Sequence, residues 1–292
     1  IVSTGLLCFS QDLVWKSAAP SPTQAASLLQ AVCPSNAQSV RGNNPGSLPG
    51  CRVCPKYTTN GDPQYGVDTS ETFDLRSVIY GSFTGPGVQE DIASFEGCEP
   101  HTTEFGGSIL LMKRDDSWSM VRYMQSLITT ACRTYHLKTG RDLLLCEGED
   151  GHMDETSQEI YVCGFSGQNP PACPGVFKAV DTQAACGTSA VWGSIEDATL
   201  LDANGDGTPE LSLKITVGQG TYPPKDGGSC LWPAVHSTVQ KYRLDFLFEP
   251  KTGSFSPAPW SRASAEHLSF LFRDAEEKAR EATIDAMHKS AR

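Results

Sequence analysis

The spacing of apolar residues changes twice along the chain. Between Ser21 and Pro34 it is helical, with Ala25, Leu28, Leu29 and Val32 on one face. Ser21 is placed to cap the helix, Pro22 takes the first helical position, and Gln24 supplies the second half of a capping box. Pro34 stops it, and the stretch PSNAQSVRGNNPGSLPGCRVCP that follows reads as loop held by cysteines. From Phe73 the spacing becomes that of short strands separated by turns. Helical spacing returns near Ser264, a candidate cap. Leu268, Leu271, Phe272, Ala275, Ala279, Ala282 and Ala286 then form a face that is strongly apolar at first and only alanine later. Such a helix packs at its start and projects at its end.

The strand segments fall into three groups of four. FDLRSVIYGSF, EDIASFEGC, GGSILLMKRDD and SWSMVRYMQS form the first, and ACRTYHLKTG, RDLLLCEGEDG, QEIYVCGFSG and GVFKAVDTQ the second. AVWGSIEDATLLDANGDG, PELSLKITVGQG, VQKYRLDFLFEP and GSFSPAPW form the third. The groups share a plan more than identities, which predicts a mainly β chain with an internal repeat. The expected layout is an N-terminal helix and Cys/Pro/Gly-rich segment over 1–72, a β-repeat domain over 73–260 and a C-terminal helix over 261–292. The β-domain is expected to be either propeller-like or a set of stacked antiparallel sheets.

Charge and cysteine content narrow the class. The 292 residues carry a net charge of −11 without a basic stripe, which argues against nucleic acid or an anionic membrane as the main partner. No apolar run has the length of a membrane span. Eleven cysteines are many for a reducing compartment. Cys51 and Cys54 have zinc-ligand spacing, but no second CxxC and no HxxxH follows them. The cysteines therefore read as four or five disulfides in a secreted, periplasmic or cell-surface protein, with at least one thiol left over. Ile1 in first place fits either a processed export signal or a partial sequence.

One stretch carries a specific ligand pattern. In LLDANGDGTPELSL, numbering from Asp202, oxygen-bearing residues Asp202, Asn204 and Asp206 occupy positions one, three and five. Gly207 follows at six, Thr208 can offer its carbonyl at seven, and Glu210 stands at nine. Hard cations such as Ca²⁺ take six to eight oxygens, and a glycine lets the backbone curl around the ion. An EF-hand is rejected, because its twelfth position needs a bidentate Glu on a helix. Here that position is Leu213, in a stretch that alternates like a strand. The loop resembles the FG-GAP/VCBS repeat family, the calcium loops of integrin-like β-propellers. Its match is Asp202, Asn204, Asp206, the Thr208 carbonyl and Glu210, then the apolar strand at Leu211, Leu213 and Ile215. The family usually has Asp where Glu210 stands. Tyr80 to Gly97 resembles a worn copy, with Thr84, Pro86 and Val88 in ligand positions and only Glu90 and Asp91 remaining. The resemblance spans about residues 75 to 260 and implies bound Ca²⁺ at the third group alone.

Other chemistry is sparse. CEGEDGHMDE gathers Glu147, Glu149, Asp150, His152, Asp154 and Glu155, and reads as a solvated acidic loop because its spacing fits no ligand template. Cys98 in CEPH reads as a disulfide half rather than a nucleophile beside His101. No G-x-S-x-G elbow, GxGxxG or Walker loop occurs. Trp118, Trp192, Trp232 and Trp260 read as core. The expectation is a non-enzymatic, calcium-stabilised binding or structural subunit that associates with another protein or with itself, with no small-molecule substrate indicated. The alternative is a secreted hydrolase using acidic residues of Glu147–Glu155.

Overall fold

A computed structural model describes residues 15–33, 38–39, 48–65, 71–100, 105–152, 155–165, 171–183, 189–202, 205, 207–221 and 235–290. After helix α1 (Pro22–Val32) come two short strands, β1 (Gln38–Ser39) and β2 (Gly50–Cys51). The first expected group then appears as β3 (Phe73–Gly81), β4 (Glu90–Glu96), β5 (Gly106–Arg114) and β6 (Ser117–Gln125). The second is β7 (Cys132–His136), β8 (Asp142–His152), β9 (Glu155–Cys163) and β10 (Gly175–Asp181). The third is β11 (Ser189–Leu201), β12 (Glu210–Thr221), β13 (Val235–Glu249) and β14 (Ser254–Pro257), before helix α2 (Arg262–Ser290).

The strands assemble as two antiparallel meanders. β1 to β6 form one sheet in chain order, and β7 to β14 form a curled eight-stranded sheet, also in chain order. The first group is thus a sheet of its own, extended by two strands of the N-terminal segment. The second and third groups are not separate units: β10 pairs with β11 and fuses them.

Apolar triplets explain the layering. Of the triplet in β5, Ile109 and Leu111 face α1, together with Leu28, Leu29, Phe73 and Phe95. Leu110 points the other way, with Ile79, Ile92 and Met124, onto Leu144, Cys146 and Cys163 of the second sheet. In β8 the alternation repeats, since Leu143 and Leu145 leave that interface and join a third core with Phe177, Phe246, Leu268 and Phe272. The order of layers is therefore α1, first sheet, second sheet, α2. A strand buried on both faces reads as an unbroken apolar run, and both triplets do.

The helix ends follow local chemistry. Ser21 caps α1 through the capping box, with the Gln24 N–H donating to Ser21 Oγ and the Ser21 N–H to Gln24 Oε1. Helix α2 starts earlier than Ser264, at Arg262, because the preceding corner is pinned. Ser261 Oγ accepts from the Asp245 N–H at 2.9 Å, and Trp260 Nε1 donates to Asp245 Oδ2 at 2.9 Å. Gly193 lets α2 approach the sheet, for a β-carbon there would lie 2.5 Å from the Phe272 ring. No helix among the described residues is long and apolar enough to cross a membrane.

Among the described residues, four disulfides close the framework. Cys33–Cys51 ties the end of α1 to β2, and Cys54–Cys98 ties the segment after β2 to the end of β4. Cys132–Cys146 joins directly opposed residues of β7 and β8, and Cys163–Cys173 links the end of β9 to the approach to β10. Cys51 and Cys54 thus serve two different bridges and are not available as a zinc pair. Cys8, Cys186 and Cys230 lie outside the described residues.

Trp15, which the sequence pattern did not single out, closes the curled sheet. Its indole Nε1 donates to Ala198 O on β11 at 3.1 Å, and its backbone N–H donates to Glu147 Oε2 on β8 at 3.2 Å. The Arg133 guanidinium of β7 stands 4.5 Å above its ring and also donates to Ala198 O at 3.0 Å. The β7 side of the sheet therefore meets β11 through side chains, along a seam.

Candidate functional site

The ligand-patterned loop is the turn of the β11–β12 hairpin. The register runs from Ser189↔Thr221 to Leu201↔Glu210, so Asp202 and Glu210 stand at its two mouths. Asn204 and Asp206 lie outside the described residues. Asp202 is exposed. Its Oδ2 accepts the Gly207 N–H at 2.9 Å and its carbonyl accepts the Gly205 N–H at 3.3 Å. Gly205 and Gly207 both take positive φ, +72° and +78°, which supplies the curl expected of the turn. Thr208 and Glu210 are half-buried, and the Phe248 N–H donates to Pro209 O at 3.3 Å, fixing the exit. The side chains of Asp202, Asn204, Asp206 and Glu210 and the carbonyl of Thr208, the candidate ligands in sequence, offer hard oxygens, the chemistry Ca²⁺ takes.

A residue from elsewhere in the chain completes this corner. Lys138, in the turn between β7 and β8, donates from Nζ to Gly205 O at 3.1 Å. Its stem crosses Gly207 so closely that a β-carbon at 207 would fall 2.2 Å from the Lys138 Cδ. Nothing in the local sequence of Lys138 signals this, because 67 residues separate it from Gly205.

The acidic stretch is a strand, not a loop. Residues through His152 lie in β8, paired with β9, while Asp154 is outside the described residues. Strand alternation splits the carboxylates. Glu147 turns inward, buried, where it accepts from Trp15 N and from Gln158 Nε2, and Gln158 Oε1 accepts the Ile195 N–H at 2.7 Å. Asp150, Ser157 and Glu159 share the opposite face with Lys178 and Tyr161.

That face and the connector from Ser126 to Ala131 line an open cleft of about 510 Å³. Tyr161 Oη donates to Ile128 O at 3.0 Å and floors the cleft; burial, followed by the charge of Glu159, pushes its pKa to about 12. Burial raises Glu159 above the usual carboxylate range, Lys178 pulls it down, and the charge of Asp150 pushes it up. Lys178 bridges to Glu276 of α2 at 2.6 Å.

The remaining candidates are absorbed by the fold. In the worn copy, Glu90 accepts from Thr84 N at 2.8 Å and Thr84 Oγ1 at 2.5 Å, closing that loop with protein donors. Asp91 is fully buried; Oδ1 accepts the Ile79 N–H at 3.1 Å and Oδ2 has no hydrogen-bond partner. Burial raises its pKa to about 7, against the lowering pull of that hydrogen bond. Cys54, Glu71 and Cys98 cluster within 4.8 Å, but both sulfurs belong to one disulfide and offer no thiolate. Cys98 is that bridge's half, and His101 lies outside the described residues, as does Trp232. Trp260 is 68% exposed and not core, since its Asp245 bond holds it at the surface.

No family model matches the chain, and no curated protein matches it. Among solved structures, the GDP-Man-dependent mannosyltransferase MPT-1 from Leishmania mexicana is similar over 63% of this chain and 67% of that one, at 12% identity and a TM-score of 0.25. A likeness that slight says nothing of this chain's chemistry.

Proposed function

We propose that the protein is an exported, disulfide-stapled and calcium-stabilised β-protein that serves as a binding or structural subunit, partnered by another protein or by a second copy. The disulfide framework is the observation that carries this reading, since four bridges of this kind persist in an oxidising compartment. The calcium assignment rests on the all-oxygen donor set and the two positive-φ glycines of the β11–β12 turn. A partner role is supported by Phe270 at 61% exposed and Ile284 at 47% on α2.

Calorimetric titration with Ca²⁺ tests the assignment, comparing the parent with Asp206→Ala and following thermal unfolding with and without chelator. Binding that Asp206→Ala abolishes, with a melting temperature raised by Ca²⁺ in the parent only, supports it. Equal binding and equal melting in the two proteins sinks it.

A hydrolase is the second reading, favoured by one observation. Glu159, with a raised pKa, stands on the same cleft face as Asp150, and an acid/base pair needs two carboxylates whose environments separate them. Screening with polysaccharide and ester substrates tests it. Activity lost on Glu159→Gln would favour the enzyme, and its absence on every substrate leaves the binding module.

A further inference from the structure

Helix α2 carries a second stripe, on the side turned away from the core. Steps of four and three from Glu266 give Phe270, Arg273, Glu277, Arg280 and Ile284, and all six residues are exposed. Such steps place residues along one line of a helix, the spacing by which two helices pack along a seam. The line is about 27 Å long. Phe270 is 61% and Ile284 47% exposed, and the Arg273 guanidinium lies 5.7 Å from the Phe270 ring. The stripe's two acids and two arginines cancel, on a protein whose net charge is −11. A neutral surface on a strongly acidic chain is where two copies meet with least repulsion.

We propose that two copies of the chain associate through this stripe, with their α2 helices antiparallel. The proposal rests on the binding reading above and names the second copy as its partner. Charge order decides the orientation. Pointing the same way in register, the helices set Arg273 on Arg273 and Glu277 on Glu277. Pointing opposite ways, with the two-fold axis level with Ala275, they set Arg273 on Glu277 and Phe270 on Arg280, each pairing made twice. Phe270 then has a guanidinium from its own helix and one from the other. Sliding one helix by a heptad sets Glu266 on Glu277 in one direction and carries Phe270 beyond Ile284 in the other, so the register is selected too. The acids beside the stripe, Asp274 and Glu276, are held by Lys278 and Lys178, each at 2.6 Å, which reduces their repulsion across the axis. Each core lies on the far side of its own α2, so the two bodies stand outside the pair.

Sedimentation equilibrium, run in chelator so that the calcium assignment does not bear on it, compares five samples. They are the parent, Arg273→Glu, Glu277→Arg, the double variant, and an equimolar mixture of the two single variants. Both positions are exposed, and circular dichroism checks that each variant melts within a few degrees of the parent. Each single swap sets like charges together at two contacts and is expected to raise the dimer dissociation constant about tenfold. The double variant only exchanges the signs, and it and the mixture are expected to recover the parent's association. A single variant that associates as tightly as the parent overturns the proposal, as does a double variant no tighter than the single ones. A parent that stays monomeric at millimolar concentration also overturns it, and leaves the binding reading to a different protein.

Discussion

At the scale of single residues, Asp91 is the group whose chemistry departs most from its sequence context. Its acidic neighbour Glu90 is satisfied by Thr84, whereas Asp91 keeps one oxygen without a partner inside a fully buried site. A folded-state pKa of about 7 lies above the ordinary 3.8, so the folded protein holds a proton that the unfolded chain releases. The site's contribution to stability is therefore fully present below pH 4 and is lost as pH rises to about 7. Above that pH it levels off. Three units correspond to about 4 kcal/mol at most. Asp91→Asn keeps an acceptor for the Ile79 N–H and cannot ionise. It should resemble the parent at pH 4 to 5 and exceed it by roughly 1–3 kcal/mol at pH 8 in urea unfolding. An Asn variant that follows the parent's pH profile between 4 and 7 would show that another group sets that slope. An acid flanked by Glu90 and Ile92 looks like a ligand or a surface charge in sequence. Its side chain shares the face of Ala93, Phe95 and Leu111, the one turned toward α1 and away from the second sheet, and sequence carries no trace of what covers that face.

At the scale of elements, strands and helices were legible because their signals are local. Ser21, Pro22 and Gln24 specify the start of α1 within four residues, and period-two or fully apolar runs mark β3 to β14. Grouping was less legible. The link from β10 to β11 looks like the other turns in sequence, and the hydrogen bonds between these strands join the second and third groups into one sheet. The acidic stretch hides its strand for a related reason: Glu147, Glu149 and Asp150 are polar, yet β9 pairs with them throughout. Lys138 and Trp15 were beyond reach, since each acts on residues far away in the chain.

The disulfides show what these elements need. The Cys54–Cys98 bridge spans 44 residues and, with the Thr59 hydrogen bonds to Glu99, anchors the N-terminal segment on the first sheet. Closing a loop of that length constrains the unfolded chain by about 4 kcal/mol. Replacing Cys54 and Cys98 together with alanine should cost that order of stability. Ser21→Ala, which removes a cap, should cost about 1 kcal/mol. Thermal unfolding that ranks these two variants the other way would mean that the segment docks without its bridge.

At the scale of the molecule, the question is what α2 does. Its sequence face, strong at the start and alanine later, corresponds to two regimes in the fold. Ala265, Leu268, Phe272 and Ala275 are buried in the core of the curled sheet and Ala279 is buried one turn further on, while Lys278, Arg280, Glu281, Ile284 and Asp285 are exposed. Cutting the chain after Trp260 is therefore not a clean test of an assembly role, because it removes one wall of that core. Truncating a buried phenylalanine such as Phe272 to alanine costs roughly 3–5 kcal/mol, and the cut removes its four buried companions with it. The 1–260 chain should lose cooperative unfolding. A cut after Glu281 removes only the projecting turns and should leave the melting temperature within a few degrees of the parent. Light scattering on that second truncation then isolates the projecting part. If 1–281 melts like the parent but no longer self-associates or retains its partner, the end of α2 is the contact. If its association state and partners match the parent's, the exposed surface around Trp260 and Phe270 becomes the place to look, since those two side chains remain on the part of the molecule that the core holds in place.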